Sequence, residues 1–155
     1  MDMLINVLKQ NPLFAEFTDG EILLVIQLCE PIRLKKGEVI FQEGDQDDGA
    51  VYFIEEGIIK IFKEANGERK VLAMFGVGNV FGEMSFLHPG PRSASAMADE
   101  EAGLCKLVPS KFKGLETQAP HTAVKLLKVF SSKIVMRLRQ TDDALMKHGP
   151  QIIVT

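Results

Sequence analysis

The chain has 155 residues, a net charge of −3, and ordinary shares of hydrophobic (46%) and charged (25%) residues. That length supports a proper core without disulfides or metals, and the charge argues against wide, non-specific nucleic-acid binding, which needs a basic surface. No run reaches the apolar length of a membrane span, and Asp2 precedes too short an apolar patch for a signal peptide; a cytoplasmic protein with no membrane partner is expected.

Residues 1–31 read as a helical segment. Leu4, Val7 and Leu8 make a short apolar stripe that Asn11-Pro12 ends, and Phe14 and Phe17 follow as core anchors. Thr18-Asp19-Gly20-Glu21 has the form of a capping box ahead of the apolar run 22–28, which predicts a mostly buried helix closed by Pro31.

Between residues 32 and 108 the pattern changes to short strands with regular turn signals. Lys36-Gly37, Glu43-Gly44-Asp45, Glu56-Gly57, Asn66-Gly67 and Gly76-Val77-Gly78 separate runs such as Val39-Ile40-Phe41, Val51-Tyr52-Phe53-Ile54 and Val71-Leu72-Ala73-Met74-Phe75. Asn66-Gly67 predicts a hairpin, and many short strands at this spacing predict a sandwich, jelly roll or small barrel. Gly76-Val77-Gly78-Asn79-Val80-Phe81 holds two glycines of a dinucleotide fingerprint, but Phe81 stands at the third position among strands, so these are turn residues.

Cys29 and Cys105 lack a CxxC partner and read as small buried hydrophobes. His88, His121 and His148 show no His-x-His or i, i+4 spacing, so no metal is expected and a metal-binding barrel enzyme is disfavoured.

Residues 81–98 carry the chemistry. A turn and short helix beginning at Gly82 point backbone N–H groups outward, a seat for an anion. Arg92 can give a phosphate two parallel N–H bonds, and Ser93 and Ala94 after it are small enough for close backbone approach. Glu83, acceptor-only when ionised, suits a sugar hydroxyl. Together they describe a pocket for a ribose phosphate; the alternative is a solvated Glu83–Arg92 ion pair across a surface turn.

Phe81, Gly82, Glu83, Met84, Ser85, Arg92, Ser93 and Ala94 resemble the phosphate-binding cassette of cyclic nucleotide-binding domains, the family of the catabolite activator protein and the protein kinase A regulatory subunit. The run from Arg33 to Asp45 and the position of Gly57 resemble the same family. The resemblance implies an α+β fold: an antiparallel, jelly-roll-like β-roll (a double-stranded β-helix) flanked by N-terminal helices and a long C-terminal helix. It implies that Glu83 holds the ribose 2′-hydroxyl, that Arg92 holds the cyclic phosphate, and that Gly82, Met84, Ser85, Ser93 and Ala94 line the same site.

Residues 109–148 read as C-terminal helices, with one long helix from 123 to 147. Leu127, Ser131, Ile134, Leu138, Thr141, Leu145 and His148 form a heptad seam, and the opposite face carries Lys125, Lys128, Lys133, Arg137 and Arg139. The helix either packs on its own barrel through Phe130 and Val135 or pairs with a partner; both are expected, giving a homodimer through the seam. The family places a hydroxyl after an Arg-Leu pair against the base, which implies Thr141 and Asp142 as base contacts; the alternative is a tolerated seam residue and a solvated charge. Gly149-Pro150 is expected to end the helix, with 149–155 as a tail and no helix-turn-helix expected.

The expectation is a free-standing sensor that binds cyclic AMP, responds through its C-terminal helix to an unidentified downstream protein, catalyses nothing and does not bind DNA directly. Asp142 and Ser93 leave cyclic GMP open, since both could serve guanine donors. A truncated regulator of the catabolite activator type and a ligand-free interaction module are the remaining alternatives.

Overall fold

The structure, a computed structural model, describes residues 2–147. His148 of the seam and the tail 149–155 lie outside the described residues. The expected architecture is present. Helix α1 (Asp2–Lys9), a 3-10 turn (Pro12–Phe14) and α2 (Asp19–Gln27) precede eight strands: β1 (Glu30–Leu34), β2 (Val39–Phe41), β3 (Val51–Glu56), β4 (Ile59–Ala65), β5 (Glu68–Phe75), β6 (Val80–Phe81), β7 (Ser95–Ala98) and β8 (Ala102–Leu107). Helix α3 (Glu83–Leu87) interrupts them after β6, and α4 (Pro109–Gln118) and α5 (Pro120–Lys147) follow.

The strands form two antiparallel sheets of four, ordered β1-β8-β3-β6 and β2-β7-β4-β5. Strand periodicity assigns the two faces of β3 to different cores. Val51 and Phe53 face a helical layer built from Leu4, Leu8, Phe14, Val25 and Phe130, whereas Tyr52 and Ile54 face the roll interior with Leu34, Phe41, Phe81 and Leu104. Both faces are therefore covered, which explains an apolar run with no polar alternation.

Local signals act as expected at three points. Thr18 and Glu21 form the reciprocal capping box on α2. Asn66 (φ 55°) and Gly67 (φ 78°) both take the positive φ that a type I′ hairpin turn requires. At the β3–β4 corner, Gly57 has φ 90°, and a Cβ there would lie 2.3 Å from the Glu101 carbonyl oxygen; only glycine fits.

Two expectations are corrected. Pro31 does not close the helical segment but lies inside β1, an edge strand where a missing N–H can face outward. Val135 does not share the buried side with Phe130: it is 43% exposed and Phe130 is fully buried. Five residues of helix turn the two about 140° apart, so one face cannot hold both. Three cations of the face opposite the seam have partners on other elements. Lys125 donates to Glu21 Oε1 and the Glu16 carbonyl at 2.8 Å each, and Lys133 and Arg137 reach the β-roll.

Candidate functional site

The site begins where β6 leaves its sheet. Phe81 stacks on Tyr52 at 5.1 Å between ring centroids, which fixes the chain inside the roll. Gly82 then turns it with φ 85°, and a Cβ there would come within 3.0 Å of the Ala50 carbonyl oxygen and 3.1 Å of Arg92 Nη1. The glycine thus permits both the turn and the approach of the guanidinium. Helix α3 starts at the next residue, with no side chain capping its first turn.

Glu83 is completely buried. Its Oε1 accepts from Arg137 Nη2 at 2.9 Å, while Oε2 is buried without a partner. A buried ionised oxygen left unpaired is costly, so this one is an acceptor awaiting a donor.

Arg92 is 3% exposed and held from four directions. Its Nε donates to both Asp47 oxygens at 3.0 and 3.1 Å, Nη1 to the Gly82 carbonyl at 3.2 Å, and Nη2 to the Ala50 carbonyl at 2.9 Å. The guanidinium also lies 4.1 Å from the centroid of the Phe41 ring. The loop that supplies Asp47 also holds the Arg92 backbone: Arg92 N–H donates to the Asp45 carbonyl and Gly44 N–H to the Arg92 carbonyl. Three of the five guanidinium N–H groups are committed, and one remains on each terminal nitrogen. Glu83 and Arg92 do not pair with each other, and neither is solvated; the surface ion-pair alternative fails.

Both side chains line one shallow recess that is open to solvent at its mouth. Gly82, Met84, Ser85, Ser93 and Ala94 line it too, so the structure brings seven expected residues together. Ser85 is buried and its hydroxyl points to the Gly90 carbonyl, closing the cassette turn. Ser93 Oγ faces Met84 Sδ at 3.7 Å. Phe41, Ile61, Phe75 and Phe81 make the apolar part of the wall, and Arg137 completes it. A largely apolar cleft with one carboxylate acceptor, one anchored guanidinium and a second guanidinium engaged with that carboxylate suits a small anion that also carries a hydroxyl.

A family model described as cyclic nucleotide-binding domain matches residues 31–118. The chain belongs to that family. Over 136 residues it is 32% identical to the cyclic AMP receptor protein of Thermus thermophilus, covering 87% of this chain and 61% of the relative. The crystal structure of the Thermus thermophilus catabolite activator protein superposes with a TM-score of 0.76 at 32% identity, over 87% of this chain and 62% of that one. A cyclic nucleotide-binding domain from Methylobacillus flagellatus shares the fold with a TM-score of 0.85 at 21% identity, over 99% of this chain and 86% of its own. The chain spans about three-fifths of the length of the first curated relative.

In this cyclic nucleotide-binding domain Thr141 and Asp142 are not brought to the recess. Both are exposed on α5, and the Thr141 hydroxyl donates to the Arg137 carbonyl at 3.0 Å. The α5 residues that do reach the cassette are one and two turns earlier. Arg137 contacts Glu83 and points Nη1 at Met84 Sδ, 3.2 Å away. Lys133 donates to the Val80 carbonyl and lies 4.3 Å from the Phe75 ring centroid; burial holds its pKa below the ordinary lysine range, opposed by the nearby Glu83 charge.

Sequence reasoning missed Asp47, Arg137 and Lys133. Asp47 carried a weak signal as one of three aspartates in a turn-rich run before β3. Arg137 carried a better one: it belongs to the Arg-Leu pair and stands four residues before Thr141, hence on the same side of the helix. Among the described residues no group of acidic, histidine or cysteine side chains could hold a metal ion, and no helix is long and apolar enough to cross a membrane.

Proposed function

We propose that this domain is a cyclic AMP sensor that signals through α5. The observation that carries the reading is the pairing, in one recess, of an unpartnered buried Glu83 oxygen with an anchored Arg92 that retains two N–H groups. The ribose 2′-hydroxyl donates to Glu83 Oε2, and the cyclic phosphate takes the remaining Arg92 N–H groups with the uncapped first turn of α3. The printed name of the Thermus relative, a cyclic AMP receptor, favours adenine.

The response runs through Arg137. Because its guanidinium already touches Glu83, a ligand that loads Glu83 changes the contact that fastens α5 to the cassette. A ligand can shift α5 only by interacting differently with its two positions, and Glu83–Arg137 supplies that difference. The seam, whose Leu138 is 59% exposed, serves a second copy in a homodimer. The protein works in the cytoplasm, passes its signal to another protein, does not bind DNA directly and catalyses nothing; opening a cyclic phosphodiester would need an activated water or metal that the recess side chains do not supply.

Cyclic GMP is the second reading, because the Ser93 hydroxyl at the recess could serve a guanine donor. Parallel calorimetric titrations with cyclic AMP and cyclic GMP, on wild type and Ser93→Ala, test the choice. Preference for cyclic AMP in both proteins is expected; a cyclic GMP preference that Ser93→Ala erases overturns it.

A further inference from the structure

Met84 is the side chain at the recess whose chemistry the nucleotide reading leaves unused. It is 42% exposed at the recess wall, on the first turn of α3 beside Glu83. Its sulfur stands between two hydrogen-bond donors: Arg137 Nη1 at 3.2 Å and Ser93 Oγ at 3.7 Å. A thioether is a weak acceptor, so neither donor is held firmly by it. The same guanidinium holds Glu83 through its other terminal nitrogen.

We propose that Met84 is a site of reversible oxidation by hydroperoxides, and that its sulfoxide weakens nucleotide binding. The sulfur lone pair attacks the terminal, hydroxyl-bearing peroxide oxygen, the O–O bond breaks, and the departing alkoxide (hydroxide from hydrogen peroxide) takes the proton from the sulfur-bound oxygen and leaves as an alcohol (or water). Sulfur loses two electrons and gains one S–O bond; a dithiol-dependent sulfoxide reductase reverses the change. The product places a polar, strongly accepting oxygen where the weak acceptor stood.

Two consequences follow from the geometry. The sulfoxide oxygen competes with Glu83 for the Arg137 guanidinium, which withdraws the cation that orients a fully buried carboxylate towards the sugar hydroxyl. It also draws the Ser93 hydroxyl and adds a polar atom inside the recess that receives the ligand. Both lower affinity, and the first exchanges the ion pair that fastens α5 for a bond to a neutral acceptor, which holds the helix less firmly.

This inference rests on the nucleotide-binding reading, so the test separates the two. Wild type, Met84→Leu and Met84→Gln are treated with hydrogen peroxide, methionine oxidation is mapped by mass spectrometry, and cyclic AMP affinity is compared with each protein's own untreated value. Met3, Met74, Met136 and Met146 are exposed as well and serve as internal controls. Oxidation at Met84 should weaken wild-type binding by about tenfold, the loss of one hydrogen bond. Sulfoxide reductase should restore it, treated Met84→Leu should show no further loss, and untreated Met84→Gln should bind weakly. An equal loss in Met84→Leu assigns the effect to another methionine and overturns the proposal, as does full Met84 oxidation without loss. If untreated wild type binds no cyclic nucleotide, the functional reading fails by itself. Hydrogen exchange over residues 131–141 then decides: faster exchange on oxidation in wild type and not in Met84→Leu supports the switch, and no change overturns it.

Discussion

Arg137 and Glu83, 54 residues apart in sequence, form a half-buried ion pair that fastens the long C-terminal helix to the first residue of α3, inside the phosphate cassette. The pair leaves Glu83 Oε1 satisfied and Oε2 free, so one carboxylate is both a latch and an acceptor. Arg137→Met removes the cation from a buried anion and should lower stability in urea by about 1–3 kcal/mol, below the range for fully buried pairs because Arg137 remains partly exposed. Glu83→Gln in the same chain should recover part of that loss. Additive single and double variants would show that the pair does not hold α5.

A charge-assisted bond from a ribose hydroxyl to Glu83 should be worth roughly 1.5–3 kcal/mol. The 2′-deoxy analogue of cyclic AMP should therefore bind about tenfold or more weakly to wild type, and Glu83→Gln should shrink the gap. Equal affinity for the two ligands would mean that Oε2 serves another donor.

The opposite end of α5 is tied down by Glu21, which accepts from Lys125 and Thr122 as well as from its own helix N-cap. The hydrogen bond from Lys125, with the Thr18 backbone N–H, lowers its pKa from 4.5 to about 2. The unfolded chain thus binds this proton more readily than the folded one. Stability from Glu21 is complete above pH 4.5 and disappears as the pH falls towards about 2. Thermal melts across that window should show the advantage of wild type over Glu21→Gln shrinking with acid; a constant difference would contradict the assignment.

Leu138, exposed on the seam, tests assembly. Leu138→Glu would set like charges face to face in a parallel pair of helices and should give monomers in sedimentation velocity. A variant that stays dimeric would place the interface elsewhere.

Much of this was legible from local signals. Thr18 and Glu21 made the capping box, Asn66-Gly67 made the hairpin, and Gly82, Glu83, Arg92, Ser93 and Ala94 came together at one recess because their separation is short and a turn joins them. What stayed hidden depends on contacts across long stretches of chain. Asp47 meets Arg92 from 45 residues away and Arg137 meets Glu83 from 54, and neither spacing leaves a periodic trace. The partners of the α5 cations were hidden for a related reason: Lys125, Lys133 and Arg137 each meet an acceptor on an element far away in sequence.

The central claim is that Arg92 receives a cyclic phosphate. Calorimetric titration of cyclic AMP into wild type and Arg92→Ala, with Arg92→Lys as the intermediate, tests it most directly. Wild type should bind one nucleotide per chain, Arg92→Ala should lose roughly 3 kcal/mol or more because phosphate and Asp47 both lose their cation, and Arg92→Lys should recover only part without the planar fork. Near-equal affinity in wild type and Arg92→Ala, or no binding by wild type, would contradict the account.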